Sequence, residues 1–358
     1  MKKWMGIFVV LAVLILIGES VYGDVDLVSK SNTVKARVIE VENTVEAGAE
    51  KQYLTARVTA GPYRGQEVVL QRYITKYSSN DFRLMKDSEI YISLHIDDNQ
   101  RVSASLAYVS RERSITLLAL CFFIVLLLFG MLKGVSSAIS LLFTAFMIIK
   151  VYIPWVVAGK DPVSGVILVA VIIIVVSFIM ISGFTKKTLV AVAGTTAGTL
   201  AAGIMAAYFS KIGYITGVGS EDTRFLITEL GVQINFKGLL FSGIVLGAIG
   251  AVMDVSMSIS SLLHEIRERH RKISSGDLVI SGLRVGRDIM ATMVNTLILA
   301  YVGTSLSMFV LFSFMETNTA NIINSEMIAT EIIRSLCGSI GLILTVPFTS
   351  LMGAFVYK

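Results

Sequence analysis

One carboxylate within an apolar stretch is the residue of this chain best suited to chemistry. Asp254 lies about two helical turns from one end of a predicted apolar helix at residues 238–261. Its short side chain cannot reach the membrane surface from there, and a charge near the bilayer centre costs about 2.5 kcal/mol or more. Asp254 must therefore face protein or water. We interpret it as a carboxylate that binds a proton or a cation, with a structural polar lock as the alternative.

Small and polar side chains extend the helical face that carries Asp254. Gly243 and Gly247 lie about three and two turns before it, and Ser258 lies about one turn after it. Further polar residues on this face are Ser261, Glu265 and Glu268. The two glycines let a neighbouring helix approach closely, and Gly194 and Gly198 form a similar pair in an earlier helix. We expect all four glycines to serve helix packing.

The next apolar stretch carries a second polar face. Asp288, Thr292 and Asn295 recur at helical spacing, and Arg287 lies at the entrance. Because consecutive membrane helices are antiparallel neighbours, we expect the two faces to meet, so that Arg287 could pair with Asp254 or Asp288. The predicted polar pathway consists of Asp254, Ser258, Arg287, Asp288, Thr292 and Asn295.

The composition places these residues in a membrane protein. The chain has 358 residues, of which 54% are hydrophobic and 16% charged, and its mean hydropathy is +0.74. Most of the bases outside a balanced segment at 24–113 flank apolar stretches, where positive charge sets topology. The net charge of +5 therefore does not indicate nucleic-acid binding.

The hydropathy pattern predicts a mainly α-helical polytopic fold with a membrane domain of seven helices at residues 114–358. The predicted spans are 115–132, 138–158, 163–182, 188–210, 238–261, 287–312 and 331–356. A further hydrophobic segment at 1–23 is either a signal anchor or a removable signal peptide. The chain thus has about eight transmembrane helices, or seven if the first segment is cleaved.

Residues 24–113 are predicted to form a small exported all-β domain. Five short runs rich in Val, Ile, Tyr and Thr, at 34–41, 53–59, 67–74, 90–96 and 102–109, indicate strands. The loop at 61–65 contains two glycines and a proline and predicts a hairpin between the second and third strands. An OB-like barrel is favoured over a sandwich.

The distribution of Lys and Arg predicts the orientation in the plasma membrane. Lys186 and Lys187, together with the basic loop at 262–286, lie on one side of the predicted spans. The positive-inside rule places that side in the cytoplasm, so both termini are cytoplasmic and residues 24–113 are extracytoplasmic.

The sequence does not favour an enzyme. It contains no GxxxxGK[ST] loop, and His264 and His270 are too far apart for an HExxH zinc motif. No nucleophile and base occur at a recognisable spacing, and no cofactor is expected. Oxygen ligands from Asp254, Asp288 and Asn295 could hold a hard cation, but the pattern identifies no particular metal.

Two stretches of the chain resemble a known family. The strings GAIGAVMDVSMSI at 247–259 and SGLRVGRDIMATMVNTLILAY at 281–301 are similar to the signature blocks of YibE/F-like membrane proteins. The chain looks like a longer, YibE-type member, because such members carry an N-terminal extension. It has Ala291 and Val294 where the family pattern has a Gly and a Thr. The resemblance implies a permease or an efflux-related protein with no settled substrate.

Two functions therefore remain open at the level of sequence. The first is transport of a small solute or ion along the polar faces of the sixth and seventh spans, counted from the first hydrophobic segment. The second is a membrane scaffold whose exported β domain binds an envelope component or a partner membrane subunit. The expected partners are the lipid bilayer and either a YibF-like membrane protein or further copies of this chain, without nucleic acid.

Overall fold

The computed structural model describes residues 33–46, 49–74, 82–96, 102–315 and 318–357. The chain divides into two compact units, and the division falls after Leu128, inside a long helix. The predicted signal segment at 1–23 lies outside the described residues.

The first unit is a curled antiparallel sheet. Its five strands are β1 Thr33–Glu46, β2 Ala49–Val58, β3 Glu67–Ile74, β4 Glu89–Ile96 and β5 Val102–Val109. They are hydrogen-bonded in the order β3-β2-β1-β4-β5, and the edge strands β3 and β5 approach within 8 Å between Cα atoms. The sheet is therefore a half-barrel. The five predicted strands are confirmed, with β1 and β2 longer than predicted.

One face of the half-barrel forms a hydrophobic core. Burial alternates along β3, as the period of two in a strand requires, and the core includes Val38, Leu54 and Ile90. Gln52 is buried beside it, where its amide nitrogen donates to the Leu84 carbonyl (3.2 Å) and its amide oxygen accepts from the Leu84 backbone N–H (3.1 Å). This pair of bonds satisfies a buried polar side chain and holds the segment before β4 against the core.

The predicted hairpin loop between β2 and β3 is confirmed. Gly61 and Gly65 have positive φ angles of 88° and 91°, which glycine adopts at little steric cost. The Gly65 N–H donates to the Val58 carbonyl at 2.9 Å and closes the loop.

An ion-pair network joins the sheet to the first turn of the helix that follows. Lys35 Nζ lies 2.9 Å from a Glu112 oxygen and 3.0 Å from a Glu89 oxygen, and Arg37 contacts the second Glu89 oxygen at 3.2 Å. The Tyr91 hydroxyl donates to Glu112. These contacts tie the start of the helix to the half-barrel, so the first turns of the helix belong to the same compact unit as the sheet.

We predict that this network makes the half-barrel sensitive to acid. Hydrogen bonds from Lys35 and then Arg37 lower the pKa of Glu89 below its usual value of 4.5. The stability that Glu89 contributes is therefore present above pH 4.5 and is lost as the pH falls through the lowered folded-state pKa. Hydrogen exchange of β1 and β4 in the full chain, corrected for intrinsic rates, should show protection falling below pH 4.5.

Two substitutions test the source of that acid sensitivity. Glu89→Gln should reduce the loss of protection in acid, while Glu112 remains as a second carboxylate of the network with a lowered pKa. Glu40→Gln, at an exposed β1 position, should leave the loss of protection unchanged. Equal profiles for wild type and Glu89→Gln would contradict the assignment.

The second unit is a helical bundle. The described helices of the chain are α1 Glu112–Val157, α2 Pro162–Ser182, α3 Lys186–Ile212, α4 Glu221–Thr228, α5 Phe236–Arg269, α6 Ser275–Thr304, α7 Leu306–Phe314, α8 Thr319–Asn324 and α9 Glu326–Val356. Six of them, α1, α2, α3, α5, α6 and α9, are long and apolar enough to cross a membrane. The chain is therefore a membrane protein.

Helix α1 covers two of the predicted spans. Its 46 residues correspond to about 69 Å, more than twice the roughly 30 Å of a bilayer core. Met131 has φ 47° and ψ −133°, which interrupts the helix near the end of the predicted span at 115–132 and before the one at 138–158. A π-helical turn at Met147–Tyr152 precedes Pro154, which cannot donate a backbone hydrogen bond.

Helix α6 differs from the predicted span at 287–312. It begins at Ser275, where the Ser274 hydroxyl accepts from the Asp277 N–H at 3.1 Å, and it ends at Thr304. The polar residues at its start lowered the hydropathy that defined the predicted boundary. The N-cap, which hydropathy does not report, determines where this helix begins.

Glycines bring α3 and α9 together. A Cβ atom on Gly194 would overlap the Thr349 hydroxyl, and one on Gly198 would overlap the Thr345 hydroxyl and lie 2.9 Å from the Gly341 carbonyl oxygen. The backbones therefore touch at these positions, as small residues in membrane helices allow. Helix α5 joins the contact through a 2.9 Å hydrogen bond between the hydroxyls of Ser256 and Thr349.

We predict that Gly198→Ala destabilises the bundle by about 1–3 kcal/mol, because the added methyl group must displace Thr345 or separate the helices. The thermal midpoint of the purified protein in detergent, followed by tryptophan fluorescence, should fall by several degrees. Gly303→Ala is the matched control, since nothing lies within 4 Å of a Cβ at that helical position. An equal midpoint for the two variants would contradict the close contact.

Candidate functional site

The polar face of α5 lies on the outside of the bundle. Gly243, Gly247, Gly250, Asp254 and Ser258 follow one another at intervals of three or four residues, and all five are exposed. The opposite face of α5 is buried against α3 and α9. We call these five residues the α5 stripe.

Asp254 occupies the middle of this stripe. It lies 15 residues before the end of α5 at Arg269, or about 22 Å along the helix axis. Within the described part of the chain, its side chain has neither a hydrogen bond nor an ion pair. An aspartate that locked two helices together would show such a partner. The interhelical polar contact next to Asp254 is instead the one between Ser256 and Thr349 on the buried side.

The polar face of α6 is exposed as well. Arg287, Asp288, Thr292 and Asn295 all lie on the surface of the bundle, and we call them the α6 face. The Thr292 hydroxyl donates to the Ile289 carbonyl at 2.9 Å, which satisfies it locally. The side chains of the other three have no hydrogen bond or ion pair with any residue that the structure describes.

The opposite side of α6 explains this orientation. A Cβ atom on Gly286 would overlap Val346 of α9, and one on Gly282 would lie 2.9 Å from the Ser350 Cβ. The glycine side of α6 is therefore pressed against α9, and its polar side points away from the bundle.

The two polar faces do not meet inside one chain, contrary to the expectation from their order in the sequence. Asp254 and Arg287 form no ion pair in the described structure, although they lie at similar depth. Arg287 is 12 residues after the start of α6 at Ser275, or about 18 Å along the axis.

The four glycines predicted to serve helix packing have different surroundings. Gly194 and Gly198 lie at a helix contact, Gly247 lies against the Tyr301 hydroxyl, and Gly243 faces open space.

A second polar cluster was not predicted from the sequence. Glu331 and Arg334 of α9 form an ion pair of 3.0 Å, with their side chains 20% and 30% exposed. They line a cavity of about 170 Å³ with Thr330 and the loop from Gly217 to Thr223. The signal in the sequence was a pair of opposite charges three residues apart within an apolar stretch. At the edge of the predicted span, they resembled flanking charges.

A carboxylate of α9 fixes the loop that lines this cavity. One Glu326 oxygen accepts from the Thr216 N–H at 2.7 Å, from the Thr216 hydroxyl at 2.6 Å and from the Gly217 N–H at 2.9 Å. Gly217 has φ 82°, and a Cβ there would overlap the Phe236 backbone. The cavity wall is thus held by charge-assisted hydrogen bonds and by a position that requires glycine.

Other features of the bundle offer less chemistry. A cavity of about 310 Å³ between α2, α3 and α5 is lined mainly by apolar side chains such as Ile167, Leu200 and Phe241. Among the described residues, no three His, Cys, Asp or Glu side chains are close enough together to hold a metal ion.

We predict that the half-buried pair of Glu331 and Arg334 is coupled. Glu331→Ala should destabilise the bundle by about 1–3 kcal/mol, because Arg334 then lacks its counter-charge, and Arg334→Ala should do the same. The double variant should lose less than the sum of the two. Chemical unfolding in detergent measures the free energy of unfolding of the wild type, the two single variants and the double variant.

The exposed ion pair of Glu265 and Arg269 provides the control for this measurement, since its side chains are 60% and 74% exposed. Its single variants should change stability by less than about 1 kcal/mol. Strict additivity for Glu331 and Arg334 would show that the buried pair is not coupled.

Comparison with known protein families gives a match. The model of the YibE/F-like protein family matches residues 118–358, which include the α5 stripe, the α6 face and the cluster on α9. The chain has no match among curated proteins or among solved structures. Because the family match covers most of the chain, this protein belongs to the YibE/F-like protein family.

Proposed function

We propose that this protein is a multi-pass permease of the plasma membrane that moves a small solute or ion along the α5 stripe and the α6 face. The observation that supports this function is the state of Asp254. Its carboxylate lies deep along a membrane helix, is exposed, and has no partner among the described residues. An ionisable group in such a place is a functional candidate by default, because lipid cannot solvate its charged form.

The residues of the pathway have different roles in this proposal. Asp254 binds the transported cation or the proton that drives transport. Arg287 and Asp288, which lie slightly nearer the loop between α5 and α6 than Asp254 does, form a gate whose opposite charges select what enters. Ser258, Thr292 and Asn295 line the pathway with hydrogen-bonding groups. None of these roles requires a cofactor or a catalytic group.

The proposed topology has seven crossings in the membrane domain, or eight with the first hydrophobic segment. Helix α1 supplies two of them, one on each side of Met131, because each part is long enough for one bilayer core. Lys186, Lys187 and the basic loop around α5 and α6 lie in the cytoplasm under the positive-inside rule. Both termini are then cytoplasmic, and the half-barrel is extracytoplasmic.

The half-barrel has an OB-like form in this proposal. If β3 and β5 paired, the order β3-β2-β1-β4-β5 would close into a five-stranded barrel, and these edge strands already lie within 8 Å. This unit would act as an extracytoplasmic cap or docking module. If the protein is instead a scaffold, the half-barrel carries the function and Asp254 does not.

Reconstitution into liposomes tests the proposed transport. Vesicles loaded with a pH-sensitive dye are given imposed gradients of protons, Na⁺ or K⁺, and the rate of internal pH change is measured. Asp254→Asn should reduce the wild-type rate by about tenfold or more, because the amide cannot bind a proton and binds cations weakly.

Asp222→Asn provides the matched control for this assay. It removes a carboxylate from the exposed first turn of α4, outside the pathway, and should leave the rate unchanged. Equal rates for wild type and Asp254→Asn under every gradient would contradict the proposal. So would the absence of any flux through the wild-type protein.

A further inference from the structure

The α5 stripe is an uncovered surface at a depth where lipid is a poor neighbour. Asp254 and Ser258 are exposed on it, and the side chain of neither has a hydrogen bond or an ion pair with the described part of the chain. A bilayer core offers no hydrogen bonds, so an aspartate there must be covered by protein or reached by water. The α5 stripe therefore requires a binding partner that supplies polar groups.

The shape of the stripe suits a closely packed helix. A Cβ atom on Gly243 or Gly250 would meet no heavy atom within 4 Å. These two glycines leave the surface of α5 open for another backbone to approach closely, whereas Gly247 between them lies against the Tyr301 hydroxyl of the same chain. Small residues spaced in this way are typical of helix contacts within membranes.

The α6 face has the complementary properties. It projects the polar side chains of Arg287, Asp288 and Asn295, where the α5 stripe has small residues and a single carboxylate. Arg287 supplies the positive charge that Asp254 lacks in its own chain. Both surfaces belong to the same chain but point out of its bundle, so one copy can satisfy the other.

The depths of these residues also match. Helices α5 and α6 are joined by the short loop between Arg269 and Ser275, so distances measured from that loop are comparable. Asp254 lies about 22 Å from it and Arg287 about 18 Å. Gly250 lies about 28 Å and Asn295 about 30 Å from the same loop. A second copy in the same orientation thus places Arg287 at nearly the depth of Asp254, and Asn295 at nearly the depth of Gly250.

We infer that the α6 face of a second copy covers the α5 stripe, so that Arg287 of one copy pairs with Asp254 of the other. A two-fold axis normal to the membrane makes this contact twice in each dimer. The inference rests on the proposed function, since it places the walls of the transport pathway on two chains. The hydrophobic segment at 5–18 is a poorer occupant, because it contains no polar side chain to pair with Asp254.

Cysteine cross-linking between differently tagged copies tests the inferred contact in native membranes. Both chains carry Cys121→Ser and Cys337→Ser to remove the native thiols. One chain also carries Gly250→Cys and the other Asn295→Cys, both small replacements at exposed positions. A short bifunctional maleimide should then join the two tags covalently.

The control pair locates the contact. Leu168→Cys on α2 is exposed in the same bundle, and with Asn295→Cys it should give no cross-linked species above background. The inference is overturned if Gly250→Cys reacts only within its own chain, only with the segment at 5–18, or only with a different protein. It is also overturned if no cross-link forms and lipid-dissolved oxygen reaches a spin label at position 250 freely.

A charge exchange provides a second measurement that does not depend on the cysteines. Asp254→Arg alone and Arg287→Asp alone should each lower the dimer fraction in liposomes by about threefold to tenfold, the range expected for one polar contact in a membrane. The double exchange should restore it. Failure of the double variant to recover, while the single variants remain folded, would refute the pairing.

Neither dimer measurement requires transport activity. A dimer that forms in the expected register but shows no flux would refute the permease and leave the interface standing. Flux that persists in a protein that never cross-links would refute the interface and leave the permease standing.

Discussion

A bilayer core cannot solvate an ionised side chain, and this constraint governs how the structure of this protein must be understood. Asp254 lies about two turns inside the apolar part of α5 that ends near residue 261, too deep for a short side chain to reach the surface. The carboxylate must therefore be met by protein, by water or by a bound cation. Because the α5 stripe is exposed in one copy, that requirement is met only by groups from outside the described bundle.

Contacts on the buried side of α5 hold the α5 stripe in place. Ser256, two residues from Asp254, is hydrogen-bonded to Thr349 at a point where Gly194 lets α3 approach α9. Close contact among α3, α5 and α9 fixes the rotation of α5 about its axis. Packing on one face of α5 thus holds the polar residues of the other face outward. A substitution such as Gly198→Ala does not touch the α5 stripe and would move it only by shifting the packed helices.

Much of the fold could be predicted because it depends on local patterns. The five strands follow from alternation and from β-branched residues, and the loop at 61–65 follows from its glycines. The start of α6 was missed because hydropathy defined its predicted boundary, whereas the cap is the local pattern Ser-x-x-Asp at 274–277. The pair of Glu331 and Arg334 was missed for a related reason. In the sequence, charges at the edge of an apolar stretch resemble solvent-exposed flanking charges. Only the structure shows that the loop held by Glu326 lies beside them.

The sequence by itself determined which faces of α5 and α6 are polar, because helical periodicity is a property of the chain alone. It also placed Asp254, Arg287, Asp288 and Asn295 on those faces. Only the tertiary structure decided that the two faces point outward instead of toward each other. The reason is steric, since Gly282 and Gly286 draw the other side of α6 against α9, and periodicity contains no information about which neighbour a face will meet.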